Sequence, residues 1–254
     1  MIRRTATTIA LLCAFAAMPC RGEHLRYVAT KAGIKIAEMT IEKGVSTNSL
    51  PYCRLRIRNC GPARLFARVD TEMSCETVAS DDGVCTVFRR RTDEGGLRHN
   101  DLMRLWPETG LAILENLDSG SVVTSRVDVG SQDVATFFCN VGESLGLMRE
   151  RETDELSSAV IFEGTAHEVV LKLGERSTLR TVCGKMDAVA MEVETHSRHL
   201  FVRNRPKRIM VSADSPVFLE MDIENRYGTA RFRLAEWRRD VRECDAKAAR
   251  PAAK

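Results

Sequence analysis

Apolar residues recur at every second position along much of this chain. Val217, Leu219, Met221 and Ile223 form the longest regular series, and Phe218 and acidic residues alternate with them. Side chains of a β-strand point to alternate faces of a sheet, so this spacing predicts strands with one packed face and one face in water. The same alternation recurs in residues 25–29, 53–57, 169–173, 189–193 and 230–234. The sequence therefore predicts an all-β, antiparallel protein.

Turn-forming residues separate these strands. They lie at residues 81–83, 94–96, 118–120 and 225–228. Between residues 34–36 and 39–41 the apolar phase shifts by one residue, which predicts a β-bulge near Ala37 and Glu38. About ten or eleven strands fit these criteria. Because open sheets of that size curl or split, we expect a curved antiparallel meander sheet that closes or nearly closes into a barrel.

Only minor helical content is expected. Asp133 is a typical N-cap, and the residues after it predict one short helix to about Asn140. Residues 147–158 fit either a helix or an exposed charged loop. No linker divides the chain, so residues 23–241 are expected to form a single domain. Residues 242–254 have no apolar anchor and are expected to form a flexible tail.

Residues 1–22 have the pattern of a secretory signal peptide. Arg3 and Arg4 precede an apolar stretch over residues 9–18, and small residues precede the expected cleavage site before Glu23. The apolar stretch is shorter than a transmembrane helix, and no later stretch is long enough. We therefore expect a periplasmic or secreted mature chain without a transmembrane segment.

The charge balance argues against a nucleic-acid-binding protein. Residues 1–22 contain three of the 38 Lys and Arg residues and none of the 35 Asp and Glu residues, so the expected mature chain carries 35 of each. Nucleic-acid binding needs a surplus of cationic groups. Arginine clusters at residues 89–91 and 203–208 have the chemistry to bind phosphate or acidic lipid, but the equal number of acids favours solvated strand ends.

Seven cysteines follow the signal segment. They are Cys53, Cys60, Cys75, Cys85, Cys139, Cys183 and Cys244. Disulfides are the default in an oxidising compartment. Cys75 and Cys85 flank the turn at residues 81–83, and a hairpin there would bring their Cβ atoms within bridging range if the strand register permits, so they are the candidate disulfide pair. The absence of Cys-x-x-Cys spacing disfavours a zinc site.

Several segments, taken in order, form a series that points to a family. They are residues 25–28, 33–39, 66–77, 81–83, 84–96, 133–138, 209–217 and 227–230. This series, over about residues 25–236, resembles the domain of unknown function 3108 (DUF3108) family of exported bacterial proteins. Met210 stands where that family has tryptophan. The resemblance implies export and a curved antiparallel β-sheet or barrel, and it implies no established activity, so no catalytic residue is carried over.

Residues 142–146 match the Gly-x-Ser-x-Gly nucleophile elbow of serine hydrolases, with Ser144 at its centre. That elbow needs a strand before the serine, a helix after it and a later histidine. His167, His196 and His199 follow, but the preceding segment is predicted to be helical and the surrounding strands antiparallel. We therefore expect a loop serine and no catalytic residue.

His196 and His199, preceded by Glu192 and Glu194, have the side-chain types of a metal site. Positions three apart on a strand face opposite sides of the sheet, so the two imidazoles would diverge. We expect exposed turn histidines, no metal and no cofactor.

Three functional hypotheses from different classes remain. The favoured one is an exported, non-enzymatic envelope protein that binds an apolar or envelope-derived ligand (a lipid or a glycan) in or on the barrel. The second is a structural or assembly factor of the cell envelope without a ligand. The third is an enzyme, either a serine hydrolase using Ser144 or a metal enzyme using His196 and His199.

Overall fold

The computed structural model describes most of the expected mature chain. The described residues are 22–46, 50–66, 68–80, 83–197, 200, 204–225, 228–239 and 242–245. Residues 1–21 of the expected signal segment, Asp81, Asp82, His199, Arg203 and residues 246–254 of the expected tail lie outside them.

Sixteen strands belong to one sheet in the described part of the chain. The first eight are β1 (Glu23–Lys31), β2 (Ile34–Val45), β3 (Pro51–Asn59), β4 (Val69–Ser80), β5 (Gly83–Glu94), β6 (Leu97–Trp106), β7 (Leu111–Asn116) and β8 (Val122–Arg126). The others are β9 (Gln132–Asp133), β10 (Glu155–Phe162), β11 (Thr165–Thr181), β12 (Gly184–Thr195), β13 (Arg205–Ser212), β14 (Phe218–Asn225), β15 (Gly228–Arg239) and β16 (Arg242–Asp245).

The sheet consists of two meanders joined by the pairing of β1 with β15. One meander runs from β1 to β8 and the other from β15 back to β9. Among the described strands, every pairing is antiparallel apart from a two-residue parallel contact between β9 and β10. This confirms the predicted all-β meander. The predicted number of ten or eleven strands is too low, because it was based on apolar alternation and strands such as β8 lack that alternation.

The sheet curls until its two ends meet without closing through backbone pairing. Among the described strands, β8 pairs only with β7, so the sheet is not a closed barrel. Side chains nevertheless cross the gap. Ser125 of β8 donates a hydrogen bond of 2.8 Å to the carbonyl oxygen of Gly164, in the turn between β10 and β11. Arg90 of β5 lies 3.4 Å from Glu163 in the same turn.

The core lies on the inner face of the curled sheet, as the alternation predicts. Leu25, Tyr27 and Ala29 of β1 are all buried, and the residues between them are half-buried. Phe218 departs from the pattern, because it is buried on a position predicted to face water. Its ring stacks on that of Tyr27, with centroids 4.2 Å apart.

Three short helices accompany the sheet: α1 (Ala63–Phe66), α2 (Val134–Asn140) and α3 (Ser144–Glu150), with a 3-10 turn at Val141–Glu143. Helix α2 is the predicted one. The ambiguous stretch from residue 147 divides into the end of α3 and the start of β10. None of the helices in the described part of the chain has the length and apolarity of a membrane-crossing helix.

The helical segment, which we define as residues 134–150, packs against the buried face of the sheet. Helix α2 contacts β3, β4 and β10. Arg149 of α3 donates a 2.9 Å hydrogen bond to the carbonyl oxygen of Ala213, in the turn between β13 and β14. The helical segment therefore bridges both meanders from the inside.

Two local predictions can be compared with the strand register. The β1–β2 register shifts where Ala29 pairs with Ala37 and Thr30 pairs with Lys35, so a bulge lies beside the predicted position. The flexible tail was predicted to begin at residue 242, but residues 242–245 form β16 and pair with β15. Strand β14 pairs with β15 only as far as Arg233, so the edge of β15 from Glu236 onward is open to β16.

Gly142→Ala is expected to lower the free energy of unfolding by about 1–3 kcal/mol, the usual cost of overpacking a tight site. A Cβ atom at residue 142 would overlap the backbone of Pro216 in the turn between β13 and β14. Urea unfolding followed by circular dichroism measures the change.

Gly146→Ala is the matched control. A Cβ atom there meets nothing within 4 Å, and alanine favours a helix by about 0.5–1 kcal/mol over glycine. We expect unchanged or slightly raised stability. Equal effects of the two substitutions would contradict the docking of the helical segment on this turn.

Candidate functional site

A polar cleft lies where β3, β4, β5 and β6 run side by side. Its volume is about 740 Å³, within the range of small-molecule sites. The lining residues are Arg56, Arg68, Asp70, Glu72, Arg91, Thr92, Asp93, Arg98, His99, Asn100 and Asp118. Four arginines therefore face four carboxylates, and the lining has no net charge with His99 neutral.

Strand register creates this lining. Across β3 to β6, one row consists of Arg56, Glu72, Arg91 and Asn100, and the next row consists of Arg58, Asp70, Asp93 and Arg98. Directly opposite residues on neighbouring strands hold their Cβ atoms about 5 Å apart, so each row is a continuous polar surface. Arg91 is exposed while Arg90 and Thr92 beside it are buried. Both rows therefore lie on the face opposite the core.

Ion pairs fix some of the cleft residues and leave others available. Arg56 Nη2 donates hydrogen bonds of 3.2 Å to both carboxylate oxygens of Asp70, and Arg68 Nε lies 3.5 Å from Asp93 Oδ2. Arg91 and Arg98 make no ion pair with any of the described residues. These two guanidinium groups can therefore bind a ligand without first breaking a salt bridge.

The arginine cluster at residues 89–91 does not form one anion-binding surface. Strand alternation places Arg89 and Arg91 on the exposed face and buries Arg90. Arg90 forms a buried ion pair with Asp101 and lies 4.8 Å from the ring centroid of Phe162. The charge of Arg90 is compensated inside the protein, so only Arg89 and Arg91 of the three arginines are exposed on the outer face.

The second basic cluster is largely neutralised by acids on the neighbouring strand. Lys207 lies 3.0 Å from Glu224, and Arg208 lies 2.9 Å from Asp222. In its described part, the cluster therefore consists of basic strand residues paired with acids, in agreement with the expected solvated strand end.

Ser144 does not lie in the geometry of a nucleophile elbow. It is buried and begins α3 directly after the 3-10 turn, so a helical turn, not a strand, precedes it. His196 follows the end of β12. Within the described residues, no three His, Cys, Asp or Glu side chains are placed to hold a metal ion.

The structure does not bring Cys75 and Cys85 together. In the β4–β5 hairpin, Cys75 pairs with Phe88, and Cys85 pairs with Val78. Residues 75 and 78 are three apart on one strand, so the two cysteines lie on opposite faces of the sheet. Both are free thiols. A Cys75–Cys85 disulfide needs the two residues to be near partners, whereas the Ser80–Gly83 pairing places Cys75 opposite Phe88.

Asp133 is the N-cap of α2, as predicted. Its Oδ1 accepts a 2.9 Å hydrogen bond from the amide of Thr136, and its Oδ2 lies 2.6 Å from Thr136 Oγ1. Asp133 is only 1% exposed. Burial raises the pKa of this carboxyl, and the hydrogen bonds from Thr136 only partly offset that effect.

Comparison with known proteins identifies a fold and no activity. No protein-family model matches the chain, and no curated protein matches it in sequence. A crystal structure of a β-barrel-like protein of the domain of unknown function DUF1849 from Brucella abortus matches 87% of this chain and 98% of its own, with a TM-score of 0.58 and 12% identity. The chain therefore has a β-barrel-like fold. The DUF3108 resemblance stays a prediction, since DUF1849 is a different domain family.

Asp133→Asn is expected to change how stability depends on pH. Because the pKa of Asp133 is raised in the folded protein, the folded state binds that proton more tightly than the unfolded chain. Raising the pH above about 4 therefore costs the wild type stability that Asp133→Asn retains. Asparagine keeps an oxygen for the Thr136 amide, so the cap itself survives.

Urea unfolding of both proteins between pH 4 and pH 8 checks this expectation. The free energy of unfolding of the wild type, relative to Asp133→Asn, should fall as the pH rises. Parallel curves for the two proteins would contradict a raised pKa.

Proposed function

We propose that this chain is an exported, non-enzymatic protein of the bacterial cell envelope that binds an envelope-derived glycan in the polar cleft. The observation that carries the proposal is the pair of guanidinium groups, Arg91 and Arg98, that make no ion pair with the described residues in a cleft of about 740 Å³. The signal-peptide pattern of residues 1–22 supports export.

The chemistry of the cleft favours a hydroxyl-rich ligand over an acyl chain. Within the described part of the chain, its lining includes no aliphatic, phenylalanine, tyrosine or tryptophan side chain. An apolar ligand would gain little there, because the hydrophobic effect scales with apolar area removed from water. Carboxylates accept hydrogen bonds from sugar hydroxyl groups, and guanidinium groups donate hydrogen bonds to the oxygens of the same hydroxyl groups. A glycan can therefore bind through both kinds of side chain.

The interior is the less suitable place for a ligand. The helical segment covers part of the inner face, and Phe137, Phe138, Leu145 and Met148 from it are buried in the core. A ligand there would have to displace packed side chains. The outer face carries the cleft without that cost.

An assembly factor is the second candidate, because edge strand β8 exposes apolar side chains. Val122 and Val123 are 59% and 53% exposed, and Val129 nearby in sequence is 49% exposed. An edge strand with free backbone groups and exposed valines is suited to pairing with another chain. Val123→Lys would block such pairing and leave the cleft unchanged, which separates the two candidate functions.

The helical position of Ser144 supports the non-enzymatic proposal. An ester-hydrolysis screen comparing wild type with Ser144→Ala distinguishes it from the hydrolase alternative, which requires hydrolysis that is lost in the variant.

Export is expected to remove residues 1–22. Strand β1 begins at Glu23, so cleavage there would remove no strand residue. N-terminal sequencing of protein from the periplasm or the medium should give Glu-His-Leu-Arg. A chain lacking residues 2–22 should stay in the cytoplasm. Recovery of the full-length chain only in the cytoplasm would contradict export.

Arg91→Ala and Arg98→Ala are each expected to weaken glycan binding by roughly 10–100-fold, since a hydrogen bond to a charged group contributes about 1.5–3 kcal/mol. The probes are muropeptides and lipopolysaccharide core oligosaccharides, and isothermal titration calorimetry gives the dissociation constants.

Arg233→Ala is the matched control. Arg233 lies on β15 beside Glu220 and outside the cleft lining, so its loss should leave binding unchanged. Equal losses in the cleft variants and in this control would show that the glycans bind elsewhere through general charge. No binding by the wild type would overturn the proposal.

A further inference from the structure

Three cysteines from three different elements meet on the inner face of the sheet. They are Cys53 of β3, Cys75 of β4 and Cys139 of α2, and each is less than 10% exposed. Cys53 is the direct strand partner of Cys75, and Lys43, the partner of Cys53 on β2, donates a 3.3 Å hydrogen bond to the carbonyl oxygen of Cys139. All three are free thiols in this structure. Cys53 is therefore the common neighbour of the other two.

The fold dictates this meeting. Cys53 and Cys75 are direct partners in the β3–β4 register. Such partners hold their Cα atoms about 4.5–5.5 Å apart, which falls within the range of about 4.4–6.8 Å for disulfides. Helix α2 packs over the same two strands and brings Cys139 to Cys53 from above the sheet.

We propose that Cys53, Cys75 and Cys139 form a thiol–disulfide exchange site in which Cys53 is the shared member of two alternative disulfides. A small-molecule or protein disulfide is the oxidant. The Cys53 and Cys75 thiols give up two electrons and two protons, their sulfurs bond, and the oxidant is reduced to two thiols. The site goes beyond glycan binding and does not depend on it.

Exchange between the two disulfides needs no further oxidant. The Cys139 thiolate attacks Cys53 Sγ, the Cys53–Cys75 bond breaks, and Cys75 leaves as a thiolate. The proton lost by Cys139 is balanced by the one that Cys75 gains. The product is a Cys53–Cys139 disulfide and a Cys75 thiol.

Thr136 and Asp133 adjoin the sulfur that leaves. Thr136 Oγ1 lies 3.1 Å from Cys75 Sγ and 2.6 Å from Asp133 Oδ2. A hydroxyl has a single proton, so Thr136 donates it either to Asp133 or to the Cys75 sulfur, and donation to the sulfur stabilises a leaving thiolate. This arrangement gives the leaving sulfur a path to a buried carboxyl.

With α2 docked on the sheet, the Cys53 and Cys75 thiols are held in their protonated, unreactive form. The hydrogen bond with Cys139, together with burial, raises the pKa of the Cys53 thiol well above its usual value. The hydrogen bond with Cys53 and burial do the same to the pKa of Cys75. A raised pKa makes Cys75 a slow leaving group while α2 is fully docked, so exchange speeds up as the docking loosens with Cys139 still within reach of Cys53. A Cys53–Cys139 disulfide then holds α2 in place covalently.

Disulfide mapping tests the site directly. The mature chain is refolded with glutathione disulfide, free thiols are alkylated under denaturing conditions, and disulfide-linked peptides are identified by mass spectrometry. The wild type should contain Cys53 linked to Cys75 or to Cys139. Recovery of all three as alkylated thiols, or of a Cys75–Cys139 link, would overturn the proposal without reference to any variant.

Single substitutions separate the roles of the three residues. Cys75→Ala should give only the Cys53–Cys139 link, Cys139→Ala only the Cys53–Cys75 link, and Cys53→Ala neither. Cys85→Ala is the control, because Cys85 is buried on the opposite face of β4–β5 and should leave the mapping unchanged. A disulfide between Cys75 and Cys139 in Cys53→Ala would contradict the shared role of Cys53.

Exchange itself is followed from a single starting form. Protein purified with the Cys53–Cys75 link is incubated without oxidant in mild urea, which loosens the docking of α2 on the sheet. The wild type should convert to a mixture that contains the Cys53–Cys139 link, at least tenfold faster in urea than in buffer. Cys139→Ala should not convert. A wild type that stays unconverted after full unfolding and refolding would overturn the exchange step.

Discussion

The pairing of β1 with β15 is the contact on which the rest of the molecule depends. Every other antiparallel pairing joins strands that follow one another closely in sequence, whereas this one joins Glu23 to Arg239. The buried Glu23 carboxylate accepts hydrogen bonds from Trp237 and Arg239 and lies 3.2 Å from Lys43. Burial alone would raise the pKa of Glu23, but Lys43, Trp237 and Arg239 lower it below the usual value. The carboxylate is therefore charged where the two meanders join.

Once that contact is made, the two free ends of the sheet are held by side chains. Arg90 is buried, and an unpaired buried charge would be costly. Asp101 compensates it, while Phe162 and Glu163 bring it against the turn between β10 and β11. Polar side chains thus close a gap that backbone pairing leaves open, which explains why β5 carries a buried arginine between Phe88 and Thr92 on its inner face.

Local signals were enough to predict the fold class, and long-range geometry was needed for the candidate sites. The alternation around Tyr27 and the N-cap at Asp133 depend on neighbouring residues, so both were readable from sequence. The meeting of Cys53 with Cys139 depends on how α2 docks, and no spacing rule reveals it. The cleft had a partial signal, because Arg54, Arg56 and Arg58 alternate with apolar residues in the sequence. That series shows an arginine row, but the carboxylates opposite it become visible only with the register of β4 and β5.

The cleft and the exchange site occupy opposite faces of the same two strands. Cys53 pairs with Cys75, and three residues further along β3 Arg56 pairs with Glu72 in the cleft lining. A shift of one residue in this register would turn every side chain of one strand to the other face. The proposed Cys53–Cys75 disulfide would lock covalently the register that places Arg56 beside Glu72. Oxidation at the proposed exchange site would therefore act on the same strand pairing that positions the charged groups of the outer face.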